Sequence, residues 1–209
     1  MSIVSLNTAY LPPVSWWACS LFGERLMIDT EEKYQKQSFR NRANILTTNG
    51  LHHISVPVKQ GANQSATGEV LIDNSQKWQN IHWRTLCASY NHSPYFQYIK
   101  PDLEPLLFQP YERLVDLNLA FVSYFIKIMK LPLRFADRLS ENKHSEEFID
   151  YRNLGKKSVW RDNFQYPTYQ QVFGQQFEHD LSIIDLFSNV GTESRLYLRN
   201  VAASFETHQ

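Results

Sequence analysis

One short segment of the chain concentrates side chains that bind anions. Lys36, Arg40 and Arg42 lie in the run from Tyr34 to Arg42, interleaved with amide, hydroxyl and aromatic groups. Guanidinium groups bind phosphate or carboxylate through paired N–H donors, and a neighbouring aromatic ring can stack on a base or a sugar. The segment therefore predicts an anion site. The alternative is a solvated stretch whose cations pair with the acidic residues at 29–32.

His82 is the best candidate in the sequence for a general acid or base. It lies one helical turn from Trp78 and from Leu86, beside Arg84, in a segment of helical periodicity. An imidazole with an unperturbed pKa of about 6.5 exchanges protons near neutral pH. The alternative is a structural histidine at the edge of the core, held by one hydrogen bond.

Familiar cofactor and metal patterns are absent from the sequence. It contains no P-loop, GxGxxG, HExxH, calcium-loop or catalytic-triad motif. His52 and His53 are adjacent in a predicted strand, so their rings point to opposite faces and share a metal poorly. Cys19 and Cys87 are far apart and outside any CxxC spacing, which favours reduced thiols. We therefore predict no metal and no cofactor.

Composition restricts the class of partner. The 209 residues are 43% hydrophobic and 20% charged, which is typical of a folded protein with one core. Lys+Arg and Asp+Glu number 21 each, for a net charge of +0. No general positive field attracts nucleic acid, so we expect no nucleic-acid partner and only a local anion site.

Two observations predict a cytoplasmic protein without a membrane span. The longest apolar stretch, residues 117–129, is interrupted by polar residues and is shorter than the roughly 20 apolar residues of a transmembrane helix. The first residues lack the basic leader, the apolar run and the small-residue cleavage site of a secretory signal.

The elements that position these groups begin with a strand–helix–strand unit. Residues 3–6 and 25–29 are short apolar runs, and Pro12 with Pro13 can open a helix between them. If the two strands are parallel, the loop 7–11 leaves the carboxyl end of the first. Open α/β sheets bind ligands at that edge.

A short mixed sheet is predicted to follow this unit. Residues 31–50 are polar and predict an irregular or hairpin-like region that ends in an Asn49-Gly50 turn. β-Branched residues at 52–58 and apolar residues at 70–72 predict short strands.

The second half of the chain is predicted to be rich in helices. Periodic apolar residues indicate helices over 78–91, between Pro110 and Pro132, and over 181–188. Residues 140–157 have little apolar content and predict a mobile loop, with a lid as the alternative. The predicted fold is α/β, with residues 1–209 forming one domain.

The sequence resembles the WbqC-like family of bacterial proteins along most of its length. The resemblance rests on these motifs, in this order: YLPPVSWW from Tyr10, YQKQSFRNR from Tyr34, SVPV from Ser55, ID from Ile72, WQ with HW from Trp78, SPYF from Ser93, DLN from Asp116, YQQVF from Tyr169 and LSIID from Leu181.

The resemblance implies a function in sugar chemistry. A member that gave the family its name is encoded among surface-polysaccharide (O-antigen) genes, which implies modification of a nucleotide-linked sugar, such as acyl or aminoacyl transfer to an amino sugar. The implied partner is a small anionic ligand such as a nucleotide-diphosphate sugar. Arg40 and Arg42 would then hold the phosphates, and Tyr10 or Trp16 would stack on the base or sugar.

Carried over by position, the resemblance also gives a set of site residues. His82 and Asp116 are the catalytic candidates. The substrate-binding candidates are Tyr10, Tyr34, Lys36, Ser38, Arg40, Asn41, Arg42, Tyr95 and Asn118.

A hypothesis from another class is a non-catalytic interaction or scaffold protein of a polysaccharide assembly complex. Its anchors would be exposed aromatic residues such as Trp16, Trp17 and Tyr95. That hypothesis predicts one exposed apolar patch and no concave polar pocket near Arg40.

Overall fold

The computed structural model describes residues 2–136, 147–152 and 163–205. Within these ranges the predicted α/β class is confirmed. The strands and helices are β1 (Ser2–Asn7), α1 (Val14–Ser20), β2 (Arg25–Asp29), β3 (Arg42–Thr47), β4 (Gly50–Ser55), α2 (Trp78–Tyr90), α3 (Phe96–Phe108), α4 (Leu114–Ile128), β5 (Arg134–Phe135), β6 (Glu147–Asp150), α5 (Ile183–Val190) and α6 (Ser194–Ala203).

Four strands form a parallel sheet in the order β5-β2-β1-β6. The predicted strand–helix–strand unit is confirmed as β1-α1-β2. Val4, Leu6 and Leu26 are fully buried and direct one side of the sheet into the core. Since side chains alternate along a strand, Ser5 and Asn7 of β1 point to the other side.

β3 and β4 form an antiparallel hairpin. Gly50 closes its turn with a φ of +90° and open space where a Cβ would lie. This hairpin agrees with the turn expected at Asn49-Gly50. The strand predicted at 70–72 is reduced to isolated bridges, from Ile72 to Val58 and from Leu71 to Arg113.

Helices α2, α4 and α5 occupy the predicted segments, whereas α3 was not predicted. Pro101 and Pro105 lie inside α3, and an interior proline removes a backbone hydrogen bond and usually ends a helix. Both prolines are exposed, and they are four residues apart on the solvent side of the helix. The opposite side supplies the buried residues Phe96, Ile99, Leu103 and Leu107 at helical spacing, and this burial stabilises the helix.

Aromatic residues from several helices meet in the core. The ring of Phe125 in α4 lies edge-on to Trp17 of α1 and to Phe187 of α5, with centroid distances of 6.4 and 6.1 Å. Trp17 and Phe125 are fully buried. This packing fixes α1 against the two helices that flank it.

Residues 140–157, predicted as a mobile loop, are described only at 147–152. There Glu147–Asp150 forms β6, which pairs with β1 in parallel. The rest of that segment lies outside the described residues. No helix in the described part of the chain has the length and apolar character to span a membrane.

Candidate functional site

The candidate site begins where β1 ends, at the carboxyl edge of the parallel sheet. The loop after Asn7 turns at Leu11, which adopts a positive φ of 43°. Ser182 Oγ donates a hydrogen bond to the Leu11 carbonyl at 2.8 Å, and the Val14 N–H donates to the Leu181 carbonyl at 3.1 Å. The segment before α5 thus holds the loop in place.

The segment before β3 supplies a second wall. The Tyr10 N–H donates to the Phe39 carbonyl at 2.8 Å, which joins this segment to the loop after β1. Arg40 is 1% exposed, and its Nε and Nη2 donate to Glu32 Oε1 and Oε2 at 2.7 and 2.5 Å. The predicted phosphate clamp is therefore already occupied by a carboxylate.

Asn118 connects the two walls from α4. Its Nδ2 donates to Thr8 Oγ1 at 3.0 Å and to the Arg40 carbonyl at 2.8 Å. Asn118 is 1% exposed, so both hydrogen bonds are shielded from water. Three distant parts of the chain are thereby fixed relative to one another.

A concave pocket lies between these elements. Its enclosed space has room for about one water molecule, and about 320 Å³ is counted only when the open solvent at its mouth is included. The pocket is lined by Asn7, Thr8, Ala9, Pro13, Ser15, Trp16, Phe39 and Arg40. The Trp16 indole N–H donates to the Asn7 carbonyl at 2.9 Å. The lining thus combines aromatic rings with polar groups, as small-molecule sites do.

Two buried amides at this edge have unmet hydrogen-bonding capacity. Within the described ranges, Asn7 Oδ1 and Nδ2 are buried without a partner, and so is Asn118 Oδ1. Leaving a buried polar group unpaired costs about 1–3 kcal/mol. Groups this costly are commonly satisfied by water or by a ligand.

Tyr10 and His82 form a buried pair behind the pocket. The Tyr10 hydroxyl lies 3.0 Å from His82 Nδ1, and His82 Nε2 lies 3.2 Å from the Ser55 carbonyl. Because a carbonyl only accepts, Nε2 carries the proton and Nδ1 accepts from Tyr10. Burial raises the pKa of Tyr10, so its hydroxyl stays protonated and donates.

The environment of His82 keeps its ring neutral. Its pKa is lowered to about 4, chiefly by burial, with the hydrogen bond to Ser55 acting in the opposite direction and His52 adding a smaller lowering effect. With both nitrogens paired and 3% exposure, the ring is enclosed by the Tyr10 and Trp78 rings. This geometry is that of a positioning residue.

Tyr34 is buried beside the arginines of the same segment. Burial raises its pKa to about 12, and the charges of Arg40 and Arg42 act in the opposite direction. Its hydroxyl has no hydrogen-bond partner among the described residues. Tyr34 is therefore a further polar group of this region with unused capacity.

The rest of the basic segment contributes mainly to local structure. Ser38 Oγ donates to the Gln35 carbonyl at 2.7 Å, and Asn41 Nδ2 donates to the Val56 carbonyl at 2.9 Å. Arg42 Nε donates to Ser55 Oγ at 3.1 Å. Lys36 is exposed.

Two predicted site residues make their contacts elsewhere. The Tyr95 N–H donates to the Ser188 carbonyl, and its ring packs over Gly191 near α5. Asp116 is exposed in the first turn of α4, where its charge adds to burial in raising the pKa of Tyr111. No contact joins either residue to the pocket in the described part of the chain.

Comparison with known proteins establishes the family. The model of the WbqC-like protein family matches residues 8–150 and 135–197. The chain belongs to the WbqC-like protein family. It is also 28% identical over 228 residues to a Mycobacterium tuberculosis (strain ATCC 25618 / H37Rv) protein described as uncharacterized protein Rv1507c, covering 95% of this chain and 97% of that protein. No solved structure matches it.

Several pocket residues of this WbqC-like chain were not predicted as site residues. Asn7 and Thr8 carry no motif that marks them as ligand-binding, whereas Ser15 and Phe39 lie within the YLPPVSWW and YQKQSFRNR motifs and the Phe39 ring was expected to stack on a base or sugar. The signal that locates them is topological, because the loop after the first strand of a parallel sheet borders the ligand-binding edge.

The WbqC-like chain also contains a buried carboxylate away from the pocket. Asp185 accepts hydrogen bonds from the hydroxyls of Tyr169 and Tyr90 at 2.7 and 3.0 Å. Burial raises its pKa despite these donors. No group of three or more His, Cys, Asp or Glu residues in the described ranges is arranged to hold a metal ion.

Proposed function

We propose that this protein binds a nucleotide-linked sugar in the pocket at the carboxyl edge of β1 and takes part in modifying that sugar for bacterial surface polysaccharide. The modification we favour is acyl or aminoacyl transfer to an amino sugar. The chemical class of the ligand comes from the family resemblance, and its place comes from the pocket.

The observation that carries the proposal is a polar amide with unused donors and acceptors at the edge of an aromatic-lined pocket. Sugar hydroxyls donate and accept hydrogen bonds, as the Asn7 amide does. Phe39 is partly exposed and offers its ring to a sugar or a base, while the buried Trp16 forms part of the pocket wall. Open parallel sheets bind nucleotides at this edge.

Arg40 has a different part in this proposal from the one expected of a phosphate clamp. Its bidentate pair with Glu32 neutralises its charge and fixes the wall of the pocket. We assign Arg40 to shaping the site. Contact with a diphosphate falls to the exposed Lys36 and to Arg42 on the same segment.

His82 enters the proposal as a support for Tyr10, because its neutral ring has no free nitrogen to exchange a proton with substrate. Asp116 remains a catalytic candidate on the surface. A flat pH–rate profile between pH 5 and 8 is the result expected if His82 only positions Tyr10.

Two observations favour ligand binding over the scaffold hypothesis. Trp16 and Trp17 are 4% and 0% exposed, so of the three anchors expected by the scaffold hypothesis only Tyr95, at 38%, is exposed. A concave pocket with a mainly apolar accessible lining also lies beside Arg40, and Asn7, Thr8 and Ser15 are among its lining residues.

Calorimetric titration with UDP-, dTDP- and GDP-linked sugars tests the proposal. We expect micromolar binding of one of them, weakened at least about tenfold in Phe39→Ala, which removes a pocket ring. Tyr98→Ala removes a ring that is 70% exposed on α3 and serves as the matched control. Absence of binding by any nucleotide sugar would transfer support to the scaffold hypothesis.

Turnover needs its own assay. The protein would be incubated with the nucleotide sugar that binds in the titration and with acyl or aminoacyl thioester donors. The mass of the sugar product would be measured by mass spectrometry. Transfer replaces one N–H hydrogen of the amino sugar and releases the free thiol of the donor, so the expected mass increase is that of the acyl group less one hydrogen. Binding without any such increase would limit the function to ligand binding.

A further inference from the structure

A cluster of polar side chains lies on the side of the parallel sheet that faces away from Val4 and Leu6. In the register of the sheet, Asn7 is opposite Asp29 of β2 and Ser5 is opposite Asp150 of β6. Paired residues of neighbouring strands point to the same side of a sheet and lie about 5 Å apart. The two carboxylates therefore flank the end of β1 on the side of Ser5 and Asn7.

Arg152 bridges this cluster. Its Nε and Nη2 donate to Asp150 Oδ1 and Oδ2 at 2.9 and 2.6 Å, and its Nη1 donates to Asp29 Oδ2 at 3.1 Å. Since β1 lies between β2 and β6, a side chain that joins the two aspartates crosses the end of β1. The Arg152–Asp29 contact thus covers the Asn7 position.

Beneath this bridge are polar atoms with no partner. Ser5 is 0% exposed and Asn7 is 6% exposed, and within the described residues Ser5 Oγ, Asn7 Oδ1 and Asn7 Nδ2 make no hydrogen bond. Ser5 and Asn7 point to the same side of β1, and their three unpaired polar atoms carry a large desolvation cost. Selection for stability alone would place apolar side chains here.

The charges and donors of the cluster indicate what it binds. Two carboxylates against one guanidinium leave an excess negative charge, which repels phosphate. The Asp29 carboxylate accepts hydrogen bonds and the Arg152 guanidinium donates them. The Asn7 amide near both groups can donate and accept. A pair of neighbouring hydroxyls needs this alternation, because each hydroxyl donates one hydrogen bond and accepts others.

We infer that the cluster of Ser5, Asn7, Asp29, Asp150 and Arg152 is the subsite for the vicinal hydroxyls of the sugar ring. This deepens the proposed function and rests on it for the identity of the sugar. Arg152, whose side chain is 43% exposed, would have to release Asp29 while it keeps its hydrogen bonds to Asp150. A hydroxyl then replaces its Nη1 at Asp29 and meets the uncovered Asn7 amide.

The test compares stability with affinity in Asn7→Ala, because a binding amide and a structural amide predict opposite changes. Removal of unpaired buried polar atoms is expected to raise the midpoint of urea unfolding. Asn7→Ala is also expected to lower the affinity for the nucleotide sugar at least about tenfold and to leave the affinity for the matching nucleoside diphosphate unchanged. Asn49→Ala, in the exposed hairpin turn, is the matched control.

Two results would overturn the subsite. One is a lowered unfolding midpoint in Asn7→Ala, which would identify a structural amide. The other is an equal loss of affinity for the nucleoside diphosphate and the nucleotide sugar, which would place the phosphates at Asn7 and leave the proposed function intact.

A second measurement keeps the subsite testable if no nucleotide sugar binds. The Asn7 side-chain amide resonance, assigned by its loss in Asn7→Ala, would be followed by NMR during titration with methyl hexopyranosides and with inorganic pyrophosphate. A shift with the glycosides and none with pyrophosphate supports the subsite. No shift with the glycosides, or a shift with pyrophosphate alone, overturns it.

Discussion

The Tyr10 hydroxyl donates a hydrogen bond to Nδ1 of His82 over 3.0 Å, and this bond joins the loop after β1 to helix α2. The tautomer follows from the far side of the ring, where Nε2 faces the Ser55 carbonyl. The pair thus secures the back of the pocket through a histidine that must remain neutral.

Stability is expected to fall as the pH drops from about 6.5 to 4. In the unfolded chain His82 takes up a proton near its ordinary pKa of about 6.5, whereas in the fold its pKa is about 4. The unfolded state therefore binds more protons in this interval, which costs up to about 3 kcal/mol by pH 4. Urea unfolding at pH 7, 5.5 and 4.5 measures the loss.

The control for this prediction is His82→Gln, whose amide does not titrate and can still bond to Ser55 or Tyr10. Its free energy of unfolding should change less than that of the wild type over the same interval. Parallel curves for the two proteins would mean that other groups account for the pH dependence.

Removing one partner of the Arg40–Glu32 pair is expected to lower the free energy of unfolding strongly, whereas replacing both partners by apolar residues should lower it little. Arg40→Met leaves the Glu32 carboxylate, whose side chain is 16% exposed, without its partner and should cost about 3 kcal/mol of unfolding free energy. The double variant Glu32→Leu/Arg40→Met should recover most of that loss. Chemical denaturation measures all three proteins.

Arg42→Met provides the comparison. Among the described residues the Arg42 side chain has one hydrogen bond, from its Nε to Ser55 Oγ at the surface, and its replacement should change stability by less than about 0.5 kcal/mol. A full recovery of stability in the double variant together with unchanged ligand affinity would contradict the role of Arg40 in shaping the pocket.

Gly191 is expected to tolerate no side chain. A Cβ there would lie 2.5 Å from the Tyr95 ring, and the backbone has a φ of +63°. Gly191→Ala should cost about 3 kcal/mol, from overpacking together with backbone strain. Thermal and urea unfolding of the variant measure the effect.

Two further variants separate the backbone strain from the overpacking against Tyr95. Gly50→Ala has a positive φ and open space, so it reports the strain alone, about 1 kcal/mol. Gly191→Ala/Tyr95→Ala should be less destabilised than the sum of its single variants. Simple additivity of the two single changes would show that the ring and the Cβ do not compete.

Local sequence patterns predicted the first elements of the fold well. They did not predict the pairing of strands that are distant in sequence. The strand–helix–strand unit follows from short apolar runs around Pro12 and Pro13. Strand β6 was missed because its four residues are polar enough to be interpreted as loop, and its partner β1 supplies the stabilisation. Helix α3 was missed because Pro101 and Pro105 outweigh its apolar periodicity in a local interpretation.

The candidate site shows the same division. Residue type marks Arg40 as a candidate to bind a phosphate or a carboxylate, but type alone does not show that Glu32 is its partner. The neutral state of His82 depends on its burial in the folded chain, and its tautomer depends on Tyr10 and Ser55, which are distant in sequence. From the sequence, Asn7 could be identified only as part of the loop 7–11. That its side-chain amide lacks a hydrogen-bond partner becomes visible only in the folded chain.

The parallel pairing of β1 with β6 affects how the chain is made. β1 is synthesised first, yet its partner follows about 140 residues later. At ribosomal speeds of about 5–20 residues per second, one edge of β1 waits on the order of ten seconds for that partner. The fold therefore has a high contact order at its centre, and the nascent chain needs protection from aggregation until β6 emerges.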